Sequence, residues 1–196
     1  MRIAIISGSP RGNSVTYRVA LHLQNAIQQN TNHEVEIIDL REIEMPQLQT
    51  IFTSVESTPD EYKPVAKSMF AANAFIMVTP EYNGSYSAAL KNLLDHFPKQ
   101  HHKVFAIATA SPGGLGGVRA ALQLQELIYA LFGIGSPYML VTPQVEKKFD
   151  ADGTLIDESF QKAVDVFVKE FLWLAEKVVD EISEPGLIGL KDLQGK

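Results

Sequence analysis

The chain has 196 residues, 45% of them hydrophobic and 20% charged, with a formal net charge of −6 and no cysteine. That size suits one domain with a sizeable buried core, and the composition is that of an ordinary soluble globule. Disulfides, thiolate metal sites and cysteine nucleophiles are excluded, and the acidic balance argues against nucleic acid as a partner.

The first apolar run, Ile3 to Ile6, is too short for a signal-peptide core and is ended by Gly8 and Pro10. No stretch approaches the ~18 apolar residues of a membrane span. A cytoplasmic location with no membrane partner is expected. Strands are predicted at Arg2–Ser7, Glu34–Leu40, Ala74–Thr79, Lys103–Ala110 and Tyr138–Thr142. The first, third and fourth are almost continuously apolar, as strands covered by helices on both faces should be.

Between them lie helical patterns. Val15, Val19, Leu23 and Ile27 recur every fourth residue. Thr58-Pro59-Asp60-Glu61 reads as a capping box opening the second helix. Leu90, Leu93, Leu94 and Phe97 mark a third helix that stops at Pro98, and a fourth runs from Gly117 to Phe132. In the fourth, Leu122, Leu124, Leu127, Ile128, Leu131 and Phe132 cover more of the circumference than one core face requires. Either a second subunit or a second intramolecular contact would cover them. The last helix carries Phe160, Val164, Phe167, Phe171, Leu174, Val178 and Ile182, and its aromatic residues, Trp173 included, read as core.

Alternating strands and helices predict an α/β fold, a three-layer doubly wound parallel five-stranded sheet. The domain is expected to span 1–183, with 184–196 a tail resting on something, a neighbouring subunit being one candidate. The irregular stretch from Arg41 to Ser57 is long enough to be functional, or is a surface excursion.

Ligands of such sheets bind beyond the carboxyl ends of the strands. After the first strand comes Ser7-Gly8-Ser9-Pro10-Arg11-Gly12-Asn13-Ser14-Val15-Thr16. A helix N-terminus there offers free amides and partial positive charge, to which Ser9, Ser14 and Thr16 add hydroxyls and Arg11 a forked cation. The pattern matches neither the dinucleotide fingerprint nor the triphosphate loop, and its hydroxyls point to a terminal phosphate monoester. The alternative is that Ser14 caps the helix and Arg11 is a solvated charge. After the third strand, Pro80-Glu81-Tyr82-Asn83-Gly84 sets an Asn-Gly turn beside an aromatic ring, suited to a flat polar-edged heterocycle. After the fourth, Ser111-Pro112-Gly113-Gly114-Leu115-Gly116-Gly117 lets a ligand approach bare backbone, or is a flexible linker.

With Gly8, Ser9, Arg11 and Ser14, the run Pro80 to Asn83, and Ser111 to Gly114 followed by Gly116 to Ala120, the chain resembles the NADPH-dependent FMN reductase family. That family includes azo-dye, quinone and chromate reductases. Thr16 departs from its pattern, which often has asparagine there. The resemblance implies a flavodoxin-like sheet of order 2-1-3-4-5. It implies bound FMN, with the phosphate on Ser9, Arg11, Ser14 and Thr16 and the ring flanked by Pro80, Glu81, Tyr82, Asn83, Gly84, Ser111, Gly113 and Gly114. It further implies NADPH or NADH as donor, a homodimer or homotetramer, and a quinone, azo compound, metal oxyanion or free flavin as acceptor. An electron carrier of flavodoxin type, or a flavin-based redox sensor, is the alternative function. Hydride transfer is chemistry the cofactors carry, so no catalytic side chain is assigned. Glu81 would repel a reduced flavin anion and is expected to turn away or pair with a cation. No metal site is expected: His101-His102 lacks partners at ligand spacing, and Asp150-Asp152 lacks the later glutamate of a calcium loop.

Overall fold

The computed structural model describes residues 1–183, and the expected tail, 184–196, lies outside the described residues. In chain order the elements are β1 (Arg2–Ser7), α1 (Thr16–Asn30), β2 (Glu34–Asp39), α2 (Lys63–Ala71), β3 (Ala74–Thr79), α3 (Ala88–Asp95), β4 (Val104–Ser111), α4 (Val118–Ala130), β5 (Ile134–Pro143) and α5 (Gln161–Ser183). The strands form one parallel sheet in the order β2-β1-β3-β4-β5. This is the flavodoxin-like order.

Alternation along each strand sorts side chains to two cores. Ile3 and Ile5 of β1 join Val19, Leu23 and Ile27 of α1 and Phe167 and Phe171 of α5 on one face. Ala4 and Ile6 join Met69 of α2, Leu90 and Leu93 of α3 and Leu124 and Ile128 of α4 on the other. All six residues of β3 are buried, which explains its continuous apolar run. Phe75 and Phe105 stack across β3 and β4 with centroids 4.9 Å apart.

Three local expectations are corrected. First, β5 begins at Ile134, four residues earlier than the apolar run suggested. Phe105 pairs with Gly135 and Ile107 with Met139, so the strand bulges where Pro137 sits. Proline is tolerated there because β5 is an edge strand. Second, Thr58 does not cap a helix. Its hydroxyl donates to the Ser54 carbonyl (2.7 Å), and a 3-10 turn at Asp60–Tyr62 precedes α2. Third, Trp173 is not core but 59% exposed, because it lies off the face of α5 carrying Phe167 and Phe171. The subunit itself buries Leu124, Leu127, Ile128 and Leu131 of the fourth helical pattern and leaves Leu122 and Phe132 more than half exposed. Phe132 keeps one face stacked on the His101 ring, with centroids 4.8 Å apart.

The long excursion after β2 is anchored. Phe52 is buried against the rings of Tyr62, His96 and Phe97, and its amide donates to the His96 carbonyl (2.7 Å). Asn92 of α3 donates from Nδ2 to the carbonyls of Met45 (3.2 Å) and Pro46 (2.8 Å).

At the opposite end of the sheet, Lys103 carries its ammonium to 3.4 Å from the Met69 carbonyl and 5.3 Å from the Phe75 ring. Burial pushes its pKa down from 10.5 to about 8. Between those values the unfolded chain holds a proton that the folded chain has released, so stability rises with pH across this window. Below it both states are protonated and the cost of the buried charge is constant. Lys103→Met is thus expected to raise the melting temperature near neutral pH, with an advantage that shrinks between pH 8 and 10.5. Thermal melts across that range test this; a gain independent of pH would assign it to packing alone.

Candidate functional site

The chain steps from β1 to β2 on one side and crosses back to β3 on the other, so the strand order switches between β1 and β3. Ser7 pairs in register with Val78, and Thr79 with Thr109. The three loops singled out by sequence therefore leave adjacent strand ends β1, β3 and β4 at the switch point.

In the first loop, Ser9 is buried, Arg11 is exposed and Ser14 is half-buried. Thr16 opens α1 and is buried, so it offers a ligand less surface than Arg11 or Ser14. Ser14 Oγ accepts from the Tyr17 amide at 3.4 Å, a weak cap compatible with a second partner. The amides of Gly12, Asn13 and Val15 donate to no other loop or turn carbonyl among the described residues. The first turn of α1 holds no acidic residue, leaving its partial positive charge uncompensated.

The second loop closes as a two-residue turn. Tyr82 and Ser85 exchange backbone hydrogen bonds (2.8 and 3.1 Å) around Asn83 (φ 52°) and Gly84 (φ 82°). Positive φ at both central residues is the type I′ geometry that Asn-Gly favours. Tyr82 then turns to the first loop. Its hydroxyl lies 3.4 Å from Ser9 Oγ, and the Arg11 guanidinium sits 4.6 Å over its ring centroid. That is cation–π range. Arg11 forms no ion pair with a carboxylate among the described residues.

Glu81 has turned to a cation, Arg119 of α4. Its carboxylate accepts from Arg119 Nε (2.7 Å) and from the backbone amide (3.1 Å), and Nη2 stands 2.5 Å from Oε1 in the ion pair. In the third loop, Ser111 Oγ accepts from the Gly113 amide (2.9 Å), and the Gly113 carbonyl accepts from Gln144 (3.1 Å). The glycines divide the work. A Cβ on Gly114 would meet nothing within 4 Å, whereas one on Gly116 would lie 2.7 Å from Pro143 N. The last two glycines seat α4 against the sheet and Gly114 leaves backbone open, whereas a Cβ on Gly113 would stand 3.2 Å from Ser111 Oγ.

Sequence reasoning missed Ser87. It caps α3 by accepting from the Leu90 amide (3.1 Å), and its hydroxyl also donates to the Gly8 carbonyl, fastening the first loop to the third strand's exit. A serine just before an apolar helical period was the available signal. Arg119 and Gln123 were also missed as partners of the second loop. Nothing local marks them, since each lies 38 residues from its partner.

The description NADPH-dependent FMN reductase matches residues 1–144 of this chain. The chain belongs to that family. As a member of the NADPH-dependent FMN reductase family it is an oxidoreductase, which sets aside the non-enzymatic carrier. The FMN-dependent NADPH-azoreductase of Staphylococcus aureus is 30% identical over 177 residues, covering 88% of this chain and 94% of that protein. Among solved structures, FerB, a flavoenzyme NAD(P)H:(acceptor) oxidoreductase from Paracoccus denitrificans, aligns with a TM-score of 0.72 at 22% identity, covering 90% of this reductase and 97% of FerB. A cysteine mutant of flavodoxin from Pseudomonas aeruginosa aligns with a TM-score of 0.54 at 21% identity, covering 88% and 99%. No helix among the described residues of this reductase is long and apolar enough to cross a membrane.

Proposed function

We propose that this reductase holds FMN among the three loops, accepts hydride from NADPH or NADH, and passes electrons to a small-molecule acceptor. The carrying observation is the donor set at the switch point: a guanidinium with no carboxylate partner and loop amides with no loop or turn carbonyl partner among the described residues, and two hydroxyls, beside an Asn-Gly turn and the open backbone of Gly114. An anion at the first loop and a flat ring between the other two satisfy these groups together.

Arg11, Ser9, Ser14 and the α1 amides bind the phosphate, with Thr16 buried behind them at the start of α1. The backbone of Pro80 to Gly84 and of Ser111, Gly113 and Gly114 borders the ring. Bound FMN supplies the redox chemistry, and the chain supplies orientation, exclusion of water and amide donors for negative charge at the ring edge. The acceptor is a quinone, azo compound, metal oxyanion or free flavin, and the azoreductase relative supports the azo class first. Leu115, Leu122, Tyr129 and Phe132, each more than half exposed at or near α4, support a homodimer or homotetramer that covers them. The sequence reading supports a cytoplasmic enzyme.

Purified apoprotein titrated with FMN at micromolar concentration is expected to quench flavin fluorescence, and anaerobic NADPH or NADH to bleach the bound flavin. No uptake would overturn the flavin assignment. Uptake without bleaching by either nicotinamide would overturn the proposed donor. Size-exclusion chromatography with light scattering on the same sample reads the subunit number.

A further inference from the structure

The two loops assigned to the ring come from different strands, and their separation has to be set by something other than their own short internal bonds. The third loop runs directly into α4, and α4 is rigidly seated. Gly116 (φ 62°) and Gly117 (φ 90°) press against Pro143 and Thr109 so closely that a Cβ at either would lie under 3.0 Å from its neighbour. The second loop, by contrast, projects beyond β3 as a two-residue turn. Two side chains reach from it to α4, and both land on the first two helical turns. Glu81 accepts two hydrogen bonds from Arg119, one of them from the helix backbone, and is ion-paired with its guanidinium, while Ser85 donates to Gln123 Oε1.

The Glu81 carboxylate is only 10% exposed and lies at the N-terminal end of α4, where the helix dipole favours negative charge. The pair is therefore more than a surface ion pair, since it also satisfies a helix amide that no earlier turn can reach. Arg119 lies under the turn as well: a Cβ placed on Gly84 would stand 3.9 Å from its Nε. One guanidinium thus touches the carboxylate at one end of the Tyr82 segment and approaches the glycine at the other.

We infer that Glu81 and Arg119 are a positioning pair that fixes the spacing between the Asn83-Gly84 turn and the Gly113-Gly114 backbone, and so governs recognition of the flavin ring rather than of its phosphate. This rests on the flavin assignment above. Neither residue is a catalytic residue. The carboxylate is occupied by Arg119, and the pair acts through the backbone it holds.

The ring and the phosphate can be separated by titrating apoprotein with FMN and, in parallel, with riboflavin, which lacks the phosphate. Glu81→Ala and Arg119→Ala are each expected to weaken both flavins by the same factor, about tenfold, the size of one charge-assisted hydrogen bond. The double variant should lose no more than either single one, because the two residues act as a unit. Arg11→Ala should weaken FMN alone. The visible absorption band of the bound flavin should shift in both pair variants, a change that simple destabilisation of the apoprotein does not produce. Should Glu81→Ala fail to fold, Arg119→Lys keeps the charge, removes the fork and should give an intermediate loss for both flavins. Affinities within twofold of wild type for both flavins, or a loss confined to FMN, would overturn the inference while leaving the flavin assignment standing. A wild-type protein that takes up neither flavin would overturn both.

Discussion

Arg11→Ala is expected to weaken FMN binding by roughly 1.5–3 kcal/mol, the range for a hydrogen bond to a charged group, which is about 10- to 150-fold in Kd. The reasoning is one of unmet valence. Arg11 is exposed, has no carboxylate partner among the described residues and rests on the Tyr82 ring at 4.6 Å. That arrangement aims a forked cation across the mouth of the loop at little conformational cost, so a phosphate finds it already placed. Arg11→Lys should recover part of the loss, since a point charge remains but the fork and the flat stacking face are gone. The binding isotherm of the apoprotein measures both. An Arg11→Ala protein that binds FMN as wild type does would mean that the helix amides and hydroxyls suffice, and that the guanidinium is a solvated charge. The loss should also shrink with added salt, because an exposed charge pair is screened within about 10 Å at 0.1 M.

Gly116→Ala should damage the fold more than any other glycine-to-alanine substitution in the three loops. Its φ of 62° lies in the left-handed region, and its new Cβ would stand 2.7 Å from both Pro143 N and Val141 Cγ1, with Thr142 C at 2.9 Å. Strained backbone costs about 1–3 kcal/mol and overpacking against a rigid neighbour about 1–3 more. The sum, roughly 2–6 kcal/mol, is a large share of the 5–15 kcal/mol by which a typical domain is stable. At about 2–4 °C per kcal/mol for a chain of this size, a fall in melting temperature of roughly 5–20 °C follows. Gly114→Ala is the matched control. Nothing lies within 4 Å of its Cβ and its φ is not positive, so its stability should stay within about 1 kcal/mol of wild type. What Gly114→Ala should lose is flavin affinity, because the methyl group occupies the approach to the bare backbone. Equal melting temperatures for the two variants would mean that the Gly116 turn relaxes and that the close approach to β5 is not rigid.

These two glycines show where sequence reading reaches its limit. Both stand in one run, and by composition they are interchangeable; only the packing of α4 on β4 and β5 separates the glycine that serves the fold from the glycine that leaves room for a ligand. The same holds for Glu81. Chemistry alone predicted that it would turn from the flavin toward a cation, but which cation depended on two segments 38 residues apart meeting at a helix end.

By itself the sequence determined the α/β class, the placement of four of the five strands to within a residue, and the three loops that converge at the switch point. Those features are local: period-two and period-four burial, glycine and proline punctuation, and loop composition are written in adjacent residues. Only the tertiary structure decided that Tyr82 would join Arg11, that Ser87 would fasten Gly8, that Trp173 would face outward, and that β5 would begin four residues early through a bulge at Pro137. Each of these depends on contacts between residues far apart in the chain. Which of several locally adequate partners a side chain takes is decided by packing, and packing exists only after the sheet has formed.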